Sequence, residues 1–153
     1  MMVFRLSRAK FAGDLSGKGA EMAGGRWNSK GVAMLYTSGS VALCVVELAV
    51  HLPLGLLPAD FYLTTLFIPE RINIEEIQYK ELPSDWKKLP HSSSTQKAGD
   101  LFVTRKSSPV LKVPSAIVPA EYNYLINPLH PESKKIEILS MEPFEFDQRL
   151  FVR

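Results

Sequence analysis

Between Lys30 and Asp60 the chain carries one charged side chain, Glu47. It stands in an apolar run, Val41 to Leu57, long enough for a buried helix. An ionised carboxylate in such a place is costly unless it is paired or hydrogen-bonded. Two chemical uses fit it: binding a ribose hydroxyl, or stabilising a cationic transition state. Two structural readings stand beside them, a helix face that reaches water and a buried ion pair. Upstream lie Arg26, a planar fork for phosphate oxygens, and Tyr36, a ring with a polar tip. Together the three suit a pocket for a charged, ring-bearing ligand.

Arg26 follows Gly24-Gly25, and glycines let a ligand approach the backbone. GGR has neither the spacing of a P-loop nor that of a dinucleotide fingerprint. Read alone, Arg26 also fits a surface turn, Tyr36 a core strand position and Trp27 a packing anchor. Ser115 lies between Pro114 and Pro119, so its backbone is extended and held on both sides. No histidine is near it in sequence and no G-x-S-x-G elbow surrounds it, which favours a binding hydroxyl over a nucleophile. Asn123 and Asn127 suit side-chain to backbone bonds that organise their loop. His51 follows Glu47 by four residues, on the same helical face. A third metal ligand is not evident, so no metal site is expected and His51 reads as a capping or packing residue.

These residues need elements to hold them. A helix is expected from Val41 to Leu52, capped by Ser38 or Ser40 and ended by Pro53; being apolar nearly all round, it should be buried. A second helix should run from a Ser92 or Ser94 cap to Arg105. Strands are expected at Met2 to Leu6, Arg26 to Asn28, Val32 to Thr37, Phe61 to Ile68, Val110 to Val118 (bent at Pro114), Lys135 to Met141 and Phe144 to Arg153. Ile72 to Tyr79 fits either a strand or a short helix. Ala12 to Gly25, rich in glycine and small residues, reads as a loop, and Asn127 to Pro131 as a turn. Strands outnumber helices without βαβ alternation, so the class is α+β.

The 153 residues favour one domain, 1–153, with no repeats or linkers. A net charge of +2 is too small to indicate a nucleic-acid surface, and Lys87-Lys88 and Lys134-Lys135 read as solvated pairs. The single cysteine, Cys44, lies in an apolar run and reads as a buried thiol in a reducing compartment. The start of the chain lacks the apolar stretch of a signal peptide. The longest apolar run is broken by Glu47, His51 and Pro53. A soluble cytoplasmic protein is expected.

The order GGRWN-x-x-G, a tyrosine, an apolar helix carrying ELAVH, VPSAIVP, N-x-x-x-NP and a final FEFDQRL resembles the RES-domain proteins, named for their Arg, Glu and Ser. The likeness runs from Phe4-Arg5 to Asp147-Arg149 with no departure at a motif position; Ile74 to Thr95 is less diagnostic. Those proteins are toxins of bacterial toxin–antitoxin pairs with an Xre-type helix-turn-helix antitoxin. The resemblance implies an ADP-ribosyltransferase-like fold, a split and strongly bent β-sheet with flanking helices. It implies NAD as substrate, cleaved between nicotinamide and ribose by hydrolysis or phosphorolysis, with no cofactor and with phosphate as a conceivable co-substrate. Arg26, Glu47 and Ser115 would match the family's three letters, with Tyr36 in the same pocket. Arg5, Gly25, Trp27, Asn28, Asn123 and Asn127 complete a candidate substrate-binding set, Arg5 as a contributor to the anion site that phosphorolysis needs. A toxin homodimer within a hetero-oligomer is implied, with DNA contact left to the antitoxin and no membrane contact. Two other readings stay open: a mono-ADP-ribosyltransferase, and a non-enzymatic module for antitoxin docking. An RNA-cleaving toxin finds little support, for want of a basic patch or a His-based acid/base pair.

Overall fold

In the computed structural model, which describes residues 1–151, one mixed sheet of seven strands carries the molecule, with three short helices packed around it. In chain order the elements are β1 (Met2–Arg8), α1 (Lys18–Ala23), β2 (Leu35–Ser38), α2 (Val41–Ala49), β3 (Phe61–Phe67), β4 (Ile74–Glu76), α3 (Ser93–Arg105), β5 (Val110–Pro114), β6 (Tyr122–Ile126) and β7 (Glu137–Phe144). The strand order is β4-β5-β6-β2-β1-β3-β7, antiparallel except for β4 beside β5. The class is α+β.

The sheet is split at its middle. β1 matches β3 over seven residue pairs, from Met2 opposite Phe67 to Arg8 opposite Phe61, whereas β1 and β2 meet in register at Phe4 opposite Ser38. One half is therefore β1-β3-β7 and the other β4-β5-β6-β2. Val3 and Leu66 of the first half and Leu35, Val110 and Ile126 of the second share one apolar cluster, which joins the halves at one face. A second cluster, around Trp27, Met34, Trp86, Phe102 and Leu125, seats α3 on β5 and β6. A third, Phe61, Phe146 and Phe151, receives Val45, Leu48 and Ala49 of α2.

Ser40, in extended backbone, caps α2 by accepting from the Leu43 amide, and Ser92 caps α3 through the Ser94 amide. α2 stops at Ala49, short of Leu52, and only Leu43 and Cys44 are fully buried in it. Its apolar side chains divide between the phenylalanine cluster and an open cleft, which is why an almost wholly apolar helix is half-buried rather than enclosed.

Several expectations need correction. Ala12 to Gly25 contains α1, a six-residue helix between Gly17 and Gly24, both at positive φ. So short a helix owes its stability to packing and not to propensity: Ala20 joins the tryptophan cluster, and Asn28 Nδ2 donates to the Ala20 carbonyl. Arg26 to Asn28 is a bend and not a strand, held by side-chain bonds instead of a ladder. β5 ends at Pro114, which frees Ser115 from the sheet. Tyr122–Ile126, read as loop, is a central strand that pairs on both sides. Of the strand expected over Phe144 to Arg153, Phe144 closes β7 and the described residues beyond it form a 3-10 turn at Gln148–Leu150, capped by Asp147; Val152 and Arg153 lie outside the described residues. Among the described residues no helix is long and apolar enough to cross a membrane.

Candidate active site

A cleft of about 730 Å³ opens where the halves of the sheet part, lined by β1, β2, α2 and the segments after Gly24 and Pro114. That size suits a small-molecule ligand, whose pockets run from about 300 to 1,000 Å³.

Glu47 reaches the cleft from α2. Its Oε1 accepts from Ser115 Oγ at 2.8 Å and from Asn123 Nδ2 at 2.7 Å. Its Oε2 accepts nothing among the described residues. Ser115 is buried, and its oxygen accepts from the amides of Ile117 and Val118, both at 3.1 Å. With both lone pairs engaged, its proton has one direction to go, toward the carboxylate. The chain is extended up to Pro114 but bends and turns over residues 116–120 instead of staying extended, which brings those two amides back to the hydroxyl; the Ser115 amide bonds the Glu121 carbonyl and closes the small loop.

Arg26 Nη1 donates to the carbonyls of Trp86 at 2.6 Å and Lys88 at 3.4 Å, which leaves its Nε–Nη2 edge without protein partners among the described residues. Burial pulls its pKa down, and the nearby Glu47 carboxylate opposes that shift; a guanidinium stays charged regardless. Tyr36 presents its ring to the cleft while its hydroxyl faces inward, accepting from the Trp27 amide at 3.0 Å and donating to Asn28 Oδ1 at 2.7 Å. Burial pushes that phenol well above its ordinary pKa. Gly25 is required there: a Cβ would stand 2.6 Å from the Tyr36 hydroxyl and 2.9 Å from Asn28 Oδ1.

The other candidates divide. Arg5 lines the cleft floor from β1 and donates to the Phe11 carbonyl at 2.9 Å; burial lowers its pKa and Asp14 opposes the shift. Gly25, Trp27 and Asn123 also line the cleft. Asn28 does not: it is fully buried, and its amide bonds the carbonyls of Ala20 and Val32, so it braces the GGRWN bend. Asn127 is likewise fully buried, donating to the Val103 carbonyl and accepting from the Leu129 amide, away from the cleft. Asn28 changes from substrate contact to brace, and Asn127 keeps the backbone-bonding role expected of it and leaves the substrate-binding set, because the polar atoms of both side chains are taken up by the protein.

Ser38, Cys44, His51, Lys87 and His91 are among the further residues at the cleft wall. Cys44 is a buried free thiol, pushed up to about 11 chiefly by burial. Lys87, read as solvated surface, is exposed at the rim with its ammonium 5.2 Å from the Trp86 ring centroid. His91 Nδ1 is buried and has no partner among the described residues; burial, then the charges of Arg26 and His51, lower its pKa. No sequence signal marks Ser38 beyond its place as an alternative cap.

Comparison with known proteins gives the family and the fold. The family profile described as "RES domain" matches residues 2–147. The "Prs ADP-ribosylating toxin" of Sphingobium sp. (strain YBL2) is 38% identical over 146 residues, covering 94% of this chain and 91% of that protein. A "Toxin Res" of Yersinia enterocolitica is 37% identical over 153 residues, covering 98% of this chain and 99% of the other. Among solved structures, a chain from the crystal structure of the M. tuberculosis MbcT–MbcA toxin–antitoxin complex superposes with a TM-score of 0.75 at 16% identity. The match covers 98% of this chain and 86% of that one, and it establishes likeness of fold.

Proposed function

Because this chain belongs to the RES-domain family, we propose that it is the toxin of a toxin–antitoxin pair and that its cleft cleaves NAD between nicotinamide and ribose. The observation that carries the reading is the aimed carboxylate: Glu47 Oε1 is gripped by Ser115 and Asn123 while Oε2 has no partner among the described residues, in a cleft shared with Arg26 and Tyr36. In this reading the free edge of Arg26 holds the diphosphate through charge-assisted hydrogen bonds. The Tyr36 ring packs against the nicotinamide. As the bond from ribose C1′ to the ring nitrogen breaks, its electron pair leaves with nicotinamide, and positive charge develops on the ribose. Glu47 Oε2 stabilises that charge and bonds a ribose hydroxyl. Water then adds to C1′ and gives up a proton to solvent, or phosphate adds in its place. The leaving group starts as a pyridinium and departs neutral, so no acid has to protonate it. One essential carboxylate suffices, where most glycosidases use two.

A second reading has an observation of its own. The Sphingobium relative is named an ADP-ribosylating toxin, and a protein side chain can take the place of water at C1′ without change to the groups around the leaving nicotinamide. An antitoxin partner follows from the same family membership, since a free NAD-degrading enzyme would harm its own cell. An Xre-type antitoxin, a toxin homodimer and a cytoplasmic setting belong to the same proposal.

The test is nicotinamide release from NAD by purified, antitoxin-free protein, with and without phosphate, beside Glu47→Ala. Release that the variant lacks supports cleavage, and a phosphate requirement selects phosphorolysis. Folded protein that releases nicotinamide only when a protein acceptor is added supports the transferase. Folded protein inert under every condition leaves the docking module.

A further inference from the structure

β2 ends at Ser38, and the register of the sheet places it opposite Asn123 on β6 and opposite Phe4 on β1. Ser38 is thus the residue at which the two halves of the sheet meet. It is buried, and its hydroxyl donates to Asn123 Oδ1 at 2.8 Å. The amide of Asn123 in turn donates to Glu47 Oε1 at 2.7 Å.

We propose that Ser38 is a positioning residue that anchors the far end of the Asn123 amide and, through it, aims Glu47. The kinetic consequence rests on the cleavage reading above; the geometry does not.

The polarity of the chain follows from donor and acceptor rules. A carboxylate oxygen can only accept, so the amide must turn its NH₂ to Glu47 and its carbonyl away. That carbonyl then needs a donor, and Ser38 supplies it. Without the hydroxyl, Asn123 Oδ1 has no protein donor among the described residues, and the half-buried side chain is drawn toward cleft water. Glu47 would keep the grip of Ser115 on one side only. Aligned hydrogen bonds also polarise one another, so the Ser38 bond strengthens the next one along. Serine is suited to this position because cross-strand partners on one face lie close enough for a short side chain to span.

The measurement is a double-mutant cycle on nicotinamide release with Ser38→Ala and Asn123→Ala. Ser38→Ala is expected to lower kcat about 10-fold and to change KM less than about 3-fold, since it removes aim and not binding. Asn123→Ala is expected to lower kcat about 30-fold, and the double variant to match it within about 2-fold, because Ser38 acts only through Asn123. Ser38→Thr, which keeps the hydroxyl, is expected to restore most of the rate. Losses that multiply, or a Ser38→Ala enzyme with unchanged kcat, would overturn the proposal.

A second readout needs no turnover: the Asn123 side-chain NH₂ protons, followed by NMR, are expected to exchange slowly in the parent protein and quickly in Ser38→Ala. If the parent releases no nicotinamide yet shows that change, the cleavage reading falls and the anchoring role stands. If exchange is the same in both proteins, the anchoring role falls whatever the turnover.

Discussion

The two oxygens of Glu47 face different demands. Oε1 receives both protein hydrogen bonds and Oε2 receives none among the described residues. A glutamine can keep the first arrangement by turning its carbonyl to Ser115 and Asn123, which puts its NH₂ where Oε2 stood. Glu47→Gln therefore removes the negative charge on the reacting side alone. Nicotinamide release is expected to fall about 100- to 1,000-fold, while the melting temperature moves by less than about 2 °C. Full activity in that variant would remove Glu47 from the mechanism. Tyr36 divides the other way, since its hydroxyl bonds the protein and its ring faces the cleft. Tyr36→Phe is expected to cost about 1–3 kcal/mol in urea denaturation, because the Trp27 amide and Asn28 Oδ1 lose their partner, with KM for NAD little changed. Glu47 stood out in the sequence by itself, as the one charge in an apolar run, whereas Arg26, Tyr36 and Ser115 had structural readings beside them and were joined to it by the family resemblance. Asn127 was read first as organising its loop through backbone bonds, and it does so; the bracing role of Asn28 was not legible, because an asparagine bonds backbone and ligand with the same atoms. Only the carbonyls of Ala20, Val32 and Val103, brought near by folding, decide between the two.

Among the elements, α3 sets the closeness of approach on which the GGRWN bend depends. A Cβ at Gly99 would lie 1.6 Å from the Trp27 carbonyl oxygen and 2.7 Å from its carbon. Helix propensity favours alanine over glycine by about 1 kcal/mol, but the clash is with backbone, which cannot turn aside. Gly99→Ala is expected to destabilise the fold by about 3 kcal/mol in urea denaturation and to weaken NAD binding, since Arg26 is the neighbour of Trp27. A more stable variant would show that the helix can shift outward freely. The helices α2 and α3 were legible through their capping serines, and β3 through its β-branched and aromatic run, since each signal lies within the element. β6 and α1 were not. The prolines and asparagines around Tyr122–Ile126 read as loop, and the strand exists because β5 and β2 hold it from both sides. α1 exists because Asn28 and the tryptophan cluster receive it.

Across the whole molecule, charge gathers at the mouth of the cleft. His91 faces Arg26 from the loop before α3 and His51 from the end of α2, with Lys87 at the same rim. Its pKa is depressed, so the neutral ring is the form the fold prefers. That preference stabilises the protein fully above the ordinary histidine value of about 6.5 and is lost as pH falls through the lower folded value. Thermal melts are expected to show stability declining on the acid side, with a shallower decline in His91→Gln; equal slopes would place the acid sensitivity elsewhere. The divided sheet has a consequence for inhibition. α2 carries Glu47 on the phenylalanine cluster of one half, whereas Ser115 and Asn123 belong to the other. A small molecule wedged between β1 and β2 beside Phe4 would pull the carboxylate from both of its partners while leaving every reacting group intact. Because Phe4 itself lines the cleft, such a compound would also take up the ligand's space, so inhibition would combine a lowered maximal rate with competition.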